Sequence, residues 1–187
     1  MKWFIISQSF VSVAAGVSFP FYLLFIQNIG STYASFGFAY GLFMLSAAMS
    51  HRLVGRLADV IGGKLLLFGY SIGMSILFLF IPSIASVQGV YMIQLLLGLL
   101  GAVQKTSEKV VLSDVTDQLY RGRSIGSYHF WTSIFSSLAV MGTGFLLDYF
   151  TIYFIFYACS LFFFISGILI LTKLKLQPIK NSKNGAV

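Results

Sequence analysis

Charge is what this sequence has least of. Of its 187 residues only 9% are Asp, Glu, Lys or Arg, 58% are hydrophobic, and the mean hydropathy is +0.90. A soluble globular surface cannot be assembled from so few charges. Disorder is excluded as well, because so apolar a chain cannot stay solvated. There is one cysteine, Cys159, which rules out an intramolecular disulfide and a paired thiolate site. The two histidines, His51 and His129, fall at no metal-ligand spacing, and no nucleophile and base share a helix face, so neither a metal nor other enzymatic chemistry is indicated. Acidic residues number five against twelve basic ones, a formal net charge of +7. That excess would fit nucleic acid if it were clustered, but the basic residues fall at the ends of apolar runs or in the gaps between them.

What the chain has instead is long apolar runs. They cover about 3–26, 33–53, 65–81, 89–107, 124–147 and 150–171, within a 1–172 unit followed by a basic tail, 173–187. Each is close to the roughly 20 residues a helix needs to cross the hydrocarbon core. Val13-Ala14-Ala15 resembles a signal-peptide cleavage site, yet the apolar run continues unbroken past Phe19 and Leu24, so an uncleaved span is expected, kinked at Pro20. The expectation is an all-α integral membrane protein of six spanning helices.

Lys2; Arg52, Arg56 and Lys64; Lys105, Lys109, Arg121 and Arg123; and Lys173, Lys175, Lys180 and Lys183 all lie on one side of such a six-span chain. The opposite loops hold no Lys or Arg. By the positive-inside rule both termini are expected in the cytoplasm.

The densest polar signal is Gly55-Arg56-Leu57-Ala58-Asp59-Val60-Ile61-Gly62-Gly63-Lys64. It reads as a hinge in which two helices meet tightly at Gly55, Asp59 caps the following helix, and Arg56 and Lys64 hold the turn in water. A shift of 89 positions pairs Ser35 with Ser124, Gly37 with Gly126, Gly55 with Gly144, Leu57 with Leu146 and Asp59 with Asp148. The second copy of the hinge would then follow the fifth helix on the opposite side of the membrane, the pattern of an inverted 3+3 repeat.

Gly55, Leu57, Ala58, Asp59, Gly62 and Lys64 resemble the loop signature between the second and third helices of the major facilitator superfamily, with Val60 and Gly63 departing from its basic positions. Arg121-Gly122-Arg123 with Gly126 resembles the entry to the fifth helix of each half in that family. The resemblance covers essentially the whole chain and implies half of such a fold, more like a C-terminal half. Gln94 stands where an Arg is frequent, and 124–147 has no Pro, which argues against proton-coupled drug export. The resemblance further implies a bacterial plasma membrane, no cofactor, and a secondary transporter half moving a small solute by alternating access. Its partners would be the bilayer, the solute and a second six-helix half, as a homodimer or a separate chain. A truncated or non-transporting scaffold or regulatory subunit is the alternative reading.

In that family the first and fourth helices line the cavity, the second and fifth meet the other half, and the third and sixth face lipid. Gln94, Gly98, Gly101, Lys105 and Glu108 share one face of the fourth helix by spacing, and Gln8 and Ser12 share one of the first. Polar groups at membrane depth are costly unless they face protein or water, so Gln8, Ser12, Gln94, Gly98, Lys105 and Glu108 are the expected cavity residues. Interhelix hydrogen bonding is the competing role for Gln8, Ser12 and Gln94. Lys105 is expected to snorkel or to pair with Glu108. His129 is the candidate proton relay, with plain interhelix hydrogen bonding near the cytoplasmic surface as the equal alternative, and His51 is expected as a solvated partner of Arg52.

Overall fold

The computed structural model describes residues 1–28 and 32–174; the tail expected over 173–187 lies almost entirely outside the described residues, as does most of the first loop. Six long helices make up the fold: α1 (Lys2–Asn28), α2 (Tyr33–Ile61), α3 (Gly63–Phe80), α4 (Val87–Val115), α5 (Arg121–Leu146) and α6 (Ile152–Lys173). Short 3-10 turns at Ile81–Ser83 and Gln118–Tyr120 precede α4 and α5. Two helix starts are set by hydroxyl caps. Thr32 Oγ1 accepts the Ser35 N–H at 3.2 Å and Ser86 Oγ accepts that of Gly89 at 3.2 Å, each satisfying an amide the helix leaves open. Helix α1 continues past Pro20 to Asn28.

Among the described residues four helices are long and apolar enough to cross a membrane on length and composition alone, namely α1 over Lys2–Tyr22, α3 with its 3-10 turn over Gly63–Ser83, α4 and α6. At 29 and 26 residues α2 and α5 have the length, and they lie alongside α4 and α1 respectively, but they carry more small and polar side chains.

The helices pack in the lateral order α5, α1, α6, α3, α4, α2. An aromatic seam joins α3 to α6, where Tyr70 meets Phe163 edge-on at 5.9 Å and Phe78 contacts both Phe156 and Phe163. Buried serines cross the same seam, Ser160 Oγ donating to the Ser75 carbonyl at 2.7 Å. In a bilayer, where lipid is as apolar as Leu, such close packing and interhelix hydrogen bonding supply the association that hydrophobicity cannot. Helix α6 is expected to face lipid, and it does so on one side only. Phe156, Cys159, Phe163, Ser166 and Ile170 form a buried stripe against α1 and α3, and only the Phe154, Tyr157, Leu161 and Phe164 side is exposed.

A second cluster unites Phe4, Leu67, Val111, Leu112, Tyr128, Ile170 and Leu174. It gathers the starts of α1, α3 and α5 with the ends of α4 and α6, so both ends of the described chain sit at the same end of the bundle. Cys159 is 1% exposed, with its thiol against the Ala14 carbonyl at 3.5 Å. It is expected to resist N-ethylmaleimide in the folded protein and to react only in sodium dodecyl sulfate. Prompt labelling of folded protein would mean that the α1–α6 seam opens.

Candidate functional site

The polar side chains of α1, α4 and α5 converge near the end of the bundle that carries the termini. Gln104 and Glu108 lie one helical turn apart on α4 and so on one face. Gln104 Nε2 donates to Gln8 Oε1 at 2.8 Å and to Glu108 Oε2 at 3.3 Å, while Tyr128 Oη donates to Glu108 Oε1 at 2.6 Å. The carboxylate orders the whole chain. As an acceptor only, it draws the Gln104 amide nitrogen toward itself, and that nitrogen in turn requires the carbonyl of Gln8. The arrangement leaves Gln8 Nε2 and Gln104 Oε1 buried without partners. Phe4 stacks on Tyr128 at 5.4 Å and closes the network from below.

Beside it runs a groove of about 760 Å³. Ser12, Ala15 and Gly16 of α1 form one wall, Glu108 its floor, and Tyr128, His129, Thr132, Ser133, Ser136 and Ser137 of α5 the other wall. Two of these hydroxyls are committed internally, Thr132 Oγ1 to the Tyr128 carbonyl at 2.9 Å and Ser136 Oγ to that of Ser12 at 2.9 Å. Ser133 and Ser137 are exposed. The surface therefore presents one carboxylate, one imidazole and free hydroxyls, a set suited to hydrogen-bonding a small polar solute.

The expected stripe on α4 is divided by the fold. Gln94 and Gly101 line a separate, mostly aromatic pocket of about 350 Å³ with Tyr22, Tyr40, Phe43 and Tyr70. Gly98 lines neither of these pockets. It is pressed onto α2, where a Cβ would lie 2.9 Å from Ser46 Cβ and 3.1 Å from the Ala47 nitrogen. Lys105 is exposed and does not pair with Glu108, whose oxygens serve Tyr128 and Gln104. Ser12 and Glu108 do share the groove, and Gln8 is fully buried behind it. His129 lines the groove from an exposed position on α5. His51 hydrogen-bonds Thr106 on α4 at 3.2 Å rather than serving Arg52. Sequence reasoning missed Gln104 and Tyr128. Gln104 had a signal in the amide and acid four residues apart on α4, whereas Tyr128 on α5 had none of that kind.

The hinge also differs from its expected form. Helix α2 continues through Gly55 to Ile61, and Gly55 has nothing near enough to touch an added Cβ. The chain turns one residue later, at Gly62, whose φ of 85° is open to glycine and strained for other residues. The tight approach belongs to Gly63, where a Cβ would stand 3.0 Å from Val111 and 3.1 Å from the Ser107 carbonyl. That explains the missing side chain at 63. Asp59 does not cap α3. It sits exposed in the last turn of α2, and Gly62 holds the cap position without a side-chain hydrogen bond. Lys64 is half-buried, its Nζ donating to the Leu174 carbonyl at the end of α6, rather than solvated. Arg121, Gly122 and Arg123 form the exposed first turn of α5. Gly144 is helical and exposed, and Asp148 follows in a turn whose N–H reaches the Phe145 carbonyl at 3.3 Å, so Asp59 and Asp148 occupy different local structures.

Six packed helices of membrane length with a polar groove on one flank agree with a match to the Major Facilitator Superfamily model over residues 4–187. The chain belongs to the major facilitator superfamily. It is similar to the "Uncharacterized MFS-type transporter YitZ" of Bacillus subtilis (strain 168), at 50% identity over 158 residues, spanning 84% of this chain and 96% of that protein. Membership in this superfamily supports an integral membrane protein of the transporter class. The groove of α1, α4 and α5 is accordingly where solute contact is to be sought.

Proposed function

We propose that the chain is one half of a secondary transporter that moves a small solute by alternating access, completed by a second six-helix unit, either another copy or a separate chain. The observation that carries the reading is the groove, which has walls of α1 and α5, a floor at Glu108, and, among the described residues, no wall on its remaining side. A second unit would supply that wall. The exposed faces of α2 and α5 fit the same role. Gly37 and Gly41 of α2 and Gly126 and Gly142 of α5 have no neighbour within 4 Å of an added Cβ, which leaves room for close helix approach.

An internal 3+3 repeat is supported by the contacts themselves. Exchanging α1 with α4, α2 with α5 and α3 with α6 converts each principal helix pair into another one. Ser46 of α2 donates to the Leu95 carbonyl at 2.7 Å beside Gly98, and Ser136 of α5 donates to the Ser12 carbonyl at 2.9 Å beside Gly16. These are corresponding contacts under that exchange. With both termini at one end, taken as cytoplasmic from the basic loops, two copies could form a closed twofold pair in one orientation. The relative in Bacillus subtilis, matched over 96% of its length by 158 residues, also has about the length of one six-helix unit.

The hinge residues would act as gates in such a pair. Asp59 stands at the negative end of α2, and Arg121 and Arg123 at the positive end of α5, each where the helix dipole disfavours it by about 0.3–1 kcal/mol. Each would gain from a countercharge on a partner in one state of the cycle. Gly55, Leu57, Gly62 and Gly122 shape that end, Lys64 ties it to α6, and Gly144 and Asp148 form the opposite gate. Solute would meet Ser12, Ser137, Glu108 and His129, with His129 the group able to relay a proton and Gln94 lining the second pocket.

Alternating access requires the groove to open to each side in turn. In a Cys159→Ser background, Ser137→Cys is expected to react with an impermeant maleimide from either face of the membrane, in preparations that are dimeric in nanodiscs. Labelling from one face only would favour the non-transporting scaffold, whereas a strict monomer would leave a separate chain as the second unit.

A further inference from the structure

A second groove, sharing no residue with the first, lies where α1, α5 and α6 meet, and it encloses about 560 Å³. Its walls are Ile6, Phe10, Val13, Trp131, Phe135 and Phe162. The single hydroxyl in it, Ser9 Oγ, is already given to the Ile5 carbonyl at 2.8 Å, so nothing along the walls asks for a polar ligand. From Lys2 to Val13 the helix rises roughly 17 Å, which is close to the ~15 Å depth of one leaflet of hydrocarbon. Lys2 stands on the rim and no acidic side chain lines the groove. A second cation is close by, since Lys173 Nζ sits 5.4 Å from the centre of the Trp3 ring, next in sequence to Lys2.

From this pairing of a dry, leaflet-deep slot with cations at its mouth, we propose that the groove holds one acyl chain of an anionic phospholipid, with the phosphate at Lys2 and Lys173. A zwitterionic lipid could fill the slot equally well, but it would gain little from the two ammonium groups. Selectivity for the anionic headgroup is expected to be about fivefold for each lysine that reaches the surface. The bound lipid would cover Trp131, which is 44% exposed, and hold α5 against α1 and α6 on the side away from the hydroxyls of Ser133 and Ser137.

The chain's two tryptophans make the test direct, because Trp131 lines the groove and Trp3, beside Lys2 in sequence, does not. In a Trp3→Phe variant reconstituted with mixtures of brominated and ordinary lipids, quenching reports exchange at Trp131 alone. Brominated phosphatidylglycerol is expected to displace ordinary phosphatidylcholine with a relative association constant of about five or more. Lys2→Ala, and more fully Lys2→Ala with Lys173→Ala, should bring that constant to near one while quenching by brominated phosphatidylcholine persists. Equal constants for the two lipids in the parent, or a preference that survives the double substitution, would overturn the assignment. Gel filtration of each variant confirms that the fold is intact.

Discussion

Replacing Gly98 by Leu is expected to prevent the folded bundle from forming. Gly98 lies directly on the backbone of α2. Even a single Cβ there would overlap the Phe43 carbonyl oxygen and sit 2.9 Å from Ser46 Cβ. The groups in the way are main chain and a short side chain held in place by its own hydrogen bond to Leu95, so nothing can rotate clear. Helix α2 would have to move off α4, losing the contact that holds it to the rest of the molecule. The cost is expected to be about 3 kcal/mol or more, at the upper end for overpacking. Gly98→Ala should fall between. Gly101→Ala provides the contrast on the same helix, since its added methyl would meet only the Phe43 ring at ordinary distances of 3.7 and 3.8 Å. Fluorescence-detected gel filtration and thermal unfolding in detergent measure the difference. A monodisperse Gly98→Leu variant with an unchanged melting temperature would contradict the described α2–α4 crossing.

At Glu108, the expected result is a large separation between two substitutions. Glu108→Ala removes the acceptor for both Tyr128 and Gln104, leaving a buried phenol and a buried amide without partners. At roughly 1.5 kcal/mol for each hydrogen bond to a charged group, the loss is about 3 kcal/mol. Glu108→Gln keeps the shape and can keep the bonds. Its Oε1 can still accept from Tyr128, and its amide can face Gln104 if Gln104 and Gln8 both rotate end for end. Gln8 would then donate where it now accepts, so the network is reversed rather than broken. Glu108→Gln should therefore unfold within about 0.5 kcal/mol of the parent, a range ordinary for substitutions that break no contact. What it loses is the negative charge on the floor of the groove. Labelling at Ser137→Cys from both sides, repeated with Glu108→Gln, then reports on the function of the charge apart from its part in the fold. Equal destabilisation by Ala and Gln would show that the ionised carboxylate itself holds the three helices together.

Residue pattern alone determined the class of molecule and the number of helices. Apolar runs of membrane length, with the basic residues at their ends or between them, are a one-dimensional property, because in lipid a spanning backbone must satisfy its own hydrogen bonds within each segment. The loop motifs around Gly55–Lys64 and Arg121–Gly126 carried the family, since they are contiguous in the chain. Helix ends were less legible. Helix α2 continues eight residues beyond the apolar run expected over 33–53, because polarity marks where hydrocarbon ends and not where a helix does. The turn itself was set by a backbone angle at Gly62 that no spacing rule gives.

Only the tertiary structure decided which side of each helix did what. A stripe of five positions on α4 covers a broad arc, and neighbours on three sides divide it. Gly98 goes to α2, Gln94 and Gly101 to an aromatic pocket, and Glu108 to α5 and the groove. Gln104, just off that stripe, is the residue that reaches Gln8 on α1. Helical periodicity states which residues share a face. The direction of that face is set by where the other helices pack, and that in turn depends on close contacts such as Gly98 on Phe43 and Gly16 on Ser136, between residues that are distant in sequence.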